Sequence, residues 1–263
     1  MDDARPAHTL RIPSMRPLVS EAEWAARVDL AACYRLCDLY GMSDMIYTHV
    51  SARVPDAPGQ FLLNAHGLLF DEITASSFLK LDLDGTVIAA PDFEYGLHRA
   101  GYVIHSAIYR ARPDAMAAMH THTIAGMAVS ALKCGLLPLT QTATRFVTRL
   151  AYHDFNGPER DPSERDKLAQ HLGDLNCMVL RNHGLLTAGP SVAEAFNSMY
   201  GLERSCQAQL AAMACNTPLN ILPQHIVNKA VALYAPGVIR PYGLLEWKGL
   251  LRMLDRRDPS FRD

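Results

Sequence analysis

The 263 residues are 49% hydrophobic and 20% charged, enough apolar material for a sizeable core and too little charge for a disordered chain. The 25 basic and 27 acidic side chains, net −2, are interspersed, which excludes the basic stripe that nucleic-acid binding requires. No run of about 18 apolar residues occurs to span a membrane, and the acidic start Met1-Asp2-Asp3, with no apolar segment behind it, places the protein in the cytoplasm.

Residues 1–19 hold three prolines and no periodicity, so an extended N-terminal arm is expected, followed by one domain over 20–263. Ser20-Glu21-Ala22-Glu23 is a capping box, and Trp24, Val28, Ala31, Ala32, Leu36 and Leu39 follow at helical spacing up to Gly41. Cys33 and Cys37 fall on one buried face of that helix. With Cys134, Cys177, Cys206 and Cys215 they read as reduced, mostly core thiols. Short alternating runs from Ile46 to Ile88, among them Gln60–Asn64 and Phe78–Leu83, predict antiparallel strands. A helix is expected from Asp92 or Phe93 to Arg112, stopped by Pro113, and a strand from Met116 to Met119 leads into His120-Thr121-His122.

Further helices are expected over Thr123–Cys134, with Gly135 as C-cap, and Ser163–Leu172. Tyr152-His153-Asp154 is placed in a loop that runs on through Gly157–Pro162 and covers the site. The buried run Cys177–Leu180 reads as a strand delivering Arg181-Asn182-His183-Gly184. Ser191-Val192-Ala193-Glu194 caps a long helix to about Cys215, and 215–263 forms two helical pieces. The sum is an α/β protein, helices flanking a largely antiparallel sheet with histidine motifs at strand ends.

On a strand His120 and His122 point the same way, with Cβ atoms roughly 6–7 Å apart, a span two imidazoles close onto one ion. His183 follows a second buried strand, and Gly184 permits close backbone approach. Three imidazoles on one side of a cation leave opposite positions open to a chelating substrate. Zinc suits such a set, and Mn²⁺ or Fe²⁺ is compatible with it. His8, His171 and His225 are read as exposed or structural, and Met116, Met119 and Met127 as core packing.

Pro113–His122, Leu180–Leu186 and Thr48–Arg53 together resemble the class II aldolase/adducin family, from about Asp29 to Ala214. The resemblance implies a single-domain, three-layer α/β/α fold and one divalent metal ion per subunit held by His120, His122 and His183. It also implies a homotetramer with active sites at subunit interfaces, acting on a small-molecule substrate. In the sugar-phosphate aldolases that this sequence is similar to, the position matching Gly101 is an acid/base glutamate. Arg99 and Ala100 stand where two phosphate-binding serines occur, and His49 and His66 where asparagine and threonine do. The resemblance therefore implies a retained metal without the sugar-phosphate machinery. The expected candidates are His105 and Tyr152 for proton transfer, and His49, His66, Arg99 and Arg145 for substrate binding. The activity expected is a lyase, aldolase or decarboxylase in type, that stabilises an enolate of a small hydroxy or oxo acid or aromatic carbonyl compound. The alternatives are an iron-dependent oxygenase/decarboxylase and a non-catalytic, adducin-like scaffold.

Overall fold

The structure is a computed structural model describing residues 10–157, 162–234 and 237–263. Its strands are β1 (His49–Val54), β2 (Ala57–His66), β3 (Phe78–Asp82), β4 (Val87–Ala89), β5 (Gly96–Leu97), β6 (Ala117–Thr121), β7 (Leu150–His153), β8 (Cys177–Leu180) and β9 (Gly184–Gly189). The helices are α1 (Glu21–Leu39), α2 (Arg99–Ala111), α3 (Ile124–Ser130), α4 (Pro162–Leu172), α5 (Val192–Ala214), α6 (Gln224–Leu233) and α7 (Leu244–Arg257). Among the described residues the strands form one sheet in the order β4-β3-β2-β1-β6-β9-β8-β7, with β5 added to β2. Every pairing is antiparallel except that of β7 with β8.

Strand alternation sorts side chains between the two helical layers. On β1, the Tyr34 hydroxyl of α1 meets the backbone of Val50, while His49 and Ser51 turn the other way, toward His105 of α2. On β6, Thr121 reaches Met199 of α5, and His120 shares the α2 side with His49, its register partner. Helices α1, α5 and α7 touch one another over one face, and α2 and α4 touch over the other, giving the three-layer α/β/α architecture expected. Among the described residues no helix is long and apolar enough to cross a membrane.

Both capping boxes form: Ser20 Oγ accepts from Glu23 N–H and Ser191 Oγ from Glu194 N–H. Three expectations are corrected and one strand is added. The helix expected from residue 92 begins at Arg99, because Gly96 and Leu97 pair with β2 and the His98 side chain caps the first turn. The helix expected to reach Cys134 stops at Ser130, where the Ser130 hydroxyl donates back to the Met127 carbonyl. Tyr152 and His153 lie on strand β7, held in register by β8, rather than in a loop; residues 158–161 of that loop lie outside the described residues. The motif after His183 continues as a full strand, β9, between β6 and β8.

Smaller differences follow from exposure. Cys134, Cys215 and Met127 face solvent, whereas Cys33, Cys37, Cys177 and Cys206 are buried, and all six cysteines are free thiols. The described part of the arm folds onto its own chain, with Met15 packed on Trp24 and Ala75; residues 1–9, including His8, lie outside the described residues.

One buried ionic cluster ties α1 to β3. Arg27 is fully buried, donating from Nε to Glu23 at 2.9 Å and from Nη1 to the Ala75 and Phe78 carbonyls, and Lys80 reaches the same carboxylate at 2.8 Å. Removing one partner strands a charge out of water, which costs far more than the pair contributes. Glu23→Leu should lower unfolding free energy by about 3–5 kcal/mol in denaturant titrations, and adding Arg27→Met should recover much of that loss.

Candidate metal centre

The register of β1, β6 and β9 assembles the site. His120 ends β6 opposite His49 of β1 and Leu186 of β9, and His122 follows one residue past the strand. His183 sits in the tight β8–β9 turn, where Asn182 adopts φ of 58° and His183 N–H donates to the Leu180 carbonyl at 3.0 Å. Gly184 is required there: a Cβ would fall 2.3 Å from the Thr121 carbonyl oxygen, so any side chain would push β9 and its turn off β6.

The Nε2 atoms of His120 and His122 lie 2.9 Å apart, and those of His122 and His183 3.0 Å apart. His120 Nδ1 is 2.9 Å from the Leu185 carbonyl, which only accepts, so this nitrogen carries the proton. His122 Nδ1 likewise donates to the Asp44 carboxylate at 3.0 Å. Burial, then the neighbouring His183 and His122, pushes the His120 pKa well down, so the ring is neutral. His120 therefore presents a bare Nε2, with its lone pair aimed at the point where the His122 and His183 rings converge. A cation placed at that point would accept the lone pair and draw the other two nitrogens to it. The three rings fit a divalent ion about 2.0–2.1 Å from each nitrogen. Among the described residues they are the one group of histidine, cysteine or acidic side chains clustered closely enough to hold a metal.

More imidazoles continue from the triad. The His49 ring centroid is 5.0 Å from that of His120 and 5.0 Å from that of His98, and His98 is 4.7 Å from His66. His49 Nδ1 meets His105 Nε2 at 2.6 Å, and His105 Nδ1 meets the Ser51 hydroxyl, itself 2.7 Å from the Tyr109 hydroxyl. A Cβ on Gly101 would stand 2.8 Å from the His49 ring, so this imidazole occupies the space that a side chain at position 101 would take. Burial pushes the His105 pKa down to about 3 and that of His98 to about 4.

Of the residues singled out in the sequence, His120, His122 and His183 converge, with His49 and His66 in the adjoining ring cluster. Arg99 is exposed on the first turn of α2 beside His98. His105 is fully buried behind His49, so it meets His49 rather than a substrate. Two candidates are placed elsewhere. The Tyr152 hydroxyl accepts from Leu136 N–H at 3.1 Å against Gly135, on the strand face opposite to His153, which lines the pocket with His183. Arg145 lies past the far end of β9, bonded to Asn197 and stacked on Tyr242, where it lines a cavity of about 590 Å³ with Cys177 and Gly189. Gly184 and Gly189 are five residue steps apart along β9, about 16 Å. Sequence reading missed Asp44, which lies in no periodic element, and the Ser51–Tyr109 pair, whose polar atoms come together only through packing of α2 on β1.

This is a mixed α/β protein with a three-histidine centre at the strand ends in the middle of a central, mainly antiparallel sheet. The chain belongs to the class II aldolase and adducin family: the family model described as Class II Aldolase and Adducin N-terminal domain matches residues 28–210. An aldolase II superfamily protein from Pseudomonas syringae has a similar structure, with TM-score 0.91 and 47% identity over 95% of this chain and 100% of that one. The L-fuculose 1-phosphate aldolase from Glaciozyma antarctica PI12 follows at TM-score 0.81 and 26% identity over 96% of this chain and 97% of its own. Alpha-adducin of Rattus norvegicus is 43% identical over 195 residues, 74% of this chain and 26% of that protein.

Two outcomes follow. Asp44→Ala should weaken zinc binding about 10–100-fold in chelator competition, because a ligating imidazole loses the partner that orients it. The depressed values of His105 and His98 mean that the unfolded chain binds more protons below pH 6.5. Stability is therefore complete above that value and falls as pH drops from 6.5 toward about 4. Thermal melts of metal-free protein should show this loss, with a slope approaching about 1.4 kcal/mol per pH unit for each histidine, and His105→Gln should flatten it.

Proposed function

We propose that the protein is a divalent-metal-dependent lyase of aldolase or decarboxylase type that cleaves a carbon–carbon bond in a small hydroxy or oxo acid or an aromatic carbonyl compound. The observation that carries this reading is the convergence of three Nε2 atoms, with the outer nitrogens of His120 and His122 committed to the Leu185 carbonyl and to Asp44. An ion bound there, zinc by preference for neutral imidazoles and manganese or iron also compatible, supplies a Lewis acid with open positions. Around it His49 and His66 bind substrate, Arg99 offers a planar fork to a carboxylate, and His105 orients His49. Position 101 holds glycine and no carboxylate, and positions 99 and 100 hold no hydroxyls, which supports an acid in preference to a sugar phosphate. The likeness to an L-fuculose 1-phosphate aldolase supports the reaction type and leaves the substrate to these side chains.

A second reading, a scaffold without turnover, is favoured by Gly101 and by the likeness to alpha-adducin. Elemental analysis of protein purified without added metal separates the two: the lyase should hold one ion per chain, and a metal-free, inactive chain would support the scaffold. For the loaded enzyme, kcat/KM for hydroxy and oxo acids should exceed that for fuculose or ribulose phosphates. Arg99→Ala should raise KM about tenfold or more with metal content unchanged, as loss of a charge-assisted hydrogen bond requires. A preference for the sugar phosphate would overturn the substrate assignment.

The assembly is proposed to be a homotetramer. Trp247 and Leu254 of the C-terminal segment are buried within the chain, but Leu244 and Leu245, and Ile124 two residues past His122, are left exposed. Light scattering at micromolar concentration should give four times the chain mass, and a monomer would count against it.

A further inference from the structure

The buried polar chain running from Tyr109 to His49 has a direction. It starts at the Tyr109 hydroxyl, fully buried under α2, whose one side-chain partner among the described residues is Ser51 Oγ at 2.7 Å. The backbone N–H of Ala118 also faces the phenolic oxygen and can only donate to it. The phenolic proton therefore goes to Ser51. A hydroxyl has one proton, and having accepted from Tyr109, Ser51 places its own on His105 Nδ1. With Nδ1 accepting, His105 carries its ring proton on Nε2 and donates it across 2.6 Å to His49 Nδ1. With its Nδ1 accepting, the His49 ring carries its proton on Nε2. Run the other way, the chain would strand the phenolic proton under α2, whereas this direction ends on His49, whose ring stands beside His120 at the three-histidine centre.

His49 Nε2 has no hydrogen-bond partner among the described residues, and its ring is flanked by those of His98 and His120, at 5.0 Å each. The rings of the centre show the opposite pattern, since His120 and His122 each donate from Nδ1, to the Leu185 carbonyl and to Asp44, and turn Nε2 inward. We infer that the Tyr109–Ser51–His105 relay locks His49 as an Nε2–H donor beside the three-histidine centre, so that the site selects a substrate presenting an acceptor oxygen, an oxo or carboxylate group, next to the atoms that chelate the ion. The inference rests on the proposed metal-centred substrate site for its consequence, though the tautomers themselves do not depend on it. Tyr109, Ser51 and His105 are positioning residues, and His49 is the group that meets substrate. The lock also explains why a fully buried serine and tyrosine stand behind an imidazole: without the Ser51 hydroxyl, His105 and with it His49 could present either nitrogen.

Long-range proton–nitrogen correlation spectra of protein with nitrogen-15-labelled histidine, recorded metal-free near pH 7.5, read the tautomers directly. His49 and His105 should be Nε2–H, and His120 and His122 Nδ1–H; an Nδ1–H signal for His49 overturns the inference. Tyr109→Phe and Ser51→Ala should each release His49 into a mixture of tautomers, and two folded variants that keep the wild-type pattern would also overturn it. If either variant fails to fold, the wild-type spectrum still decides. With zinc-loaded protein and oxalate as the probe, Tyr109→Phe should bind oxalate about tenfold more weakly at unchanged zinc affinity, and equal oxalate affinity would refute the role in recognition. A chain that binds no zinc would sink the lyase reading while leaving the tautomer result standing, so the two failures are distinguishable.

Discussion

Everything at the centre depends on how closely β9 approaches β6. The Thr121 carbonyl lies where a Cβ of residue 184 would be, so only glycine allows the two strands to meet at this level. That approach puts the Leu185 carbonyl against His120 Nδ1 and lets the β8–β9 turn carry His183 to within 3.0 Å of His122. A shift of β9 by one residue would exchange its inward and outward faces and remove the carbonyl that fixes the His120 tautomer. The glycine after His183 therefore serves the packing of strands, and ligand geometry follows from it.

Burial supplies the second constraint. His49, His105 and His120 are almost completely enclosed, which disfavours their charged forms and leaves each ring with one donor and one acceptor. A neutral imidazole in a dry site is a directional object: whichever nitrogen finds a carbonyl or carboxylate becomes the donor, and the other becomes the acceptor. Leu185 and Asp44 orient two rings with lone pairs inward, and the Tyr109 relay orients a third the other way. The same burial makes these residues costly at acid pH, so geometry at the centre and stability of the fold are linked through the same side chains.

The elements that sequence disclosed were those with long periodicity or explicit caps. Helices α1 and α5 announce themselves through Ser20 and Ser191 with their partner glutamates, and the triad through two strand ends. The short strands were harder. β7 and β5 have four and two residues, too few for alternation to register, and each exists because a neighbour pairs with it. The placement of Arg145 and Tyr152 failed for a related reason: residue type suggested chemistry, but position on the sheet is decided by strand order, which puts Arg145 beyond the far end of β9. Asp44 had no signal at all, since it acts from an irregular segment brought to His122 only by the folded chain.

Positions 49 and 101 are best understood as one feature. The resemblance assigns a glutamate to position 101 in the sugar-phosphate aldolases and an asparagine to position 49; here they are glycine and histidine, and the imidazole lies directly over the glycine. A glutamate at 101 would need the volume that the His49 ring fills, and a histidine at 49 would collide with any side chain at 101. With His49 placed as it is, position 101 has no room for a side chain, so the glycine and the imidazole fill one pocket together. That ring is rigid and is held from behind by His105, Ser51 and Tyr109, so what the pocket presents at this point is fixed by packing on the α2 side of the sheet.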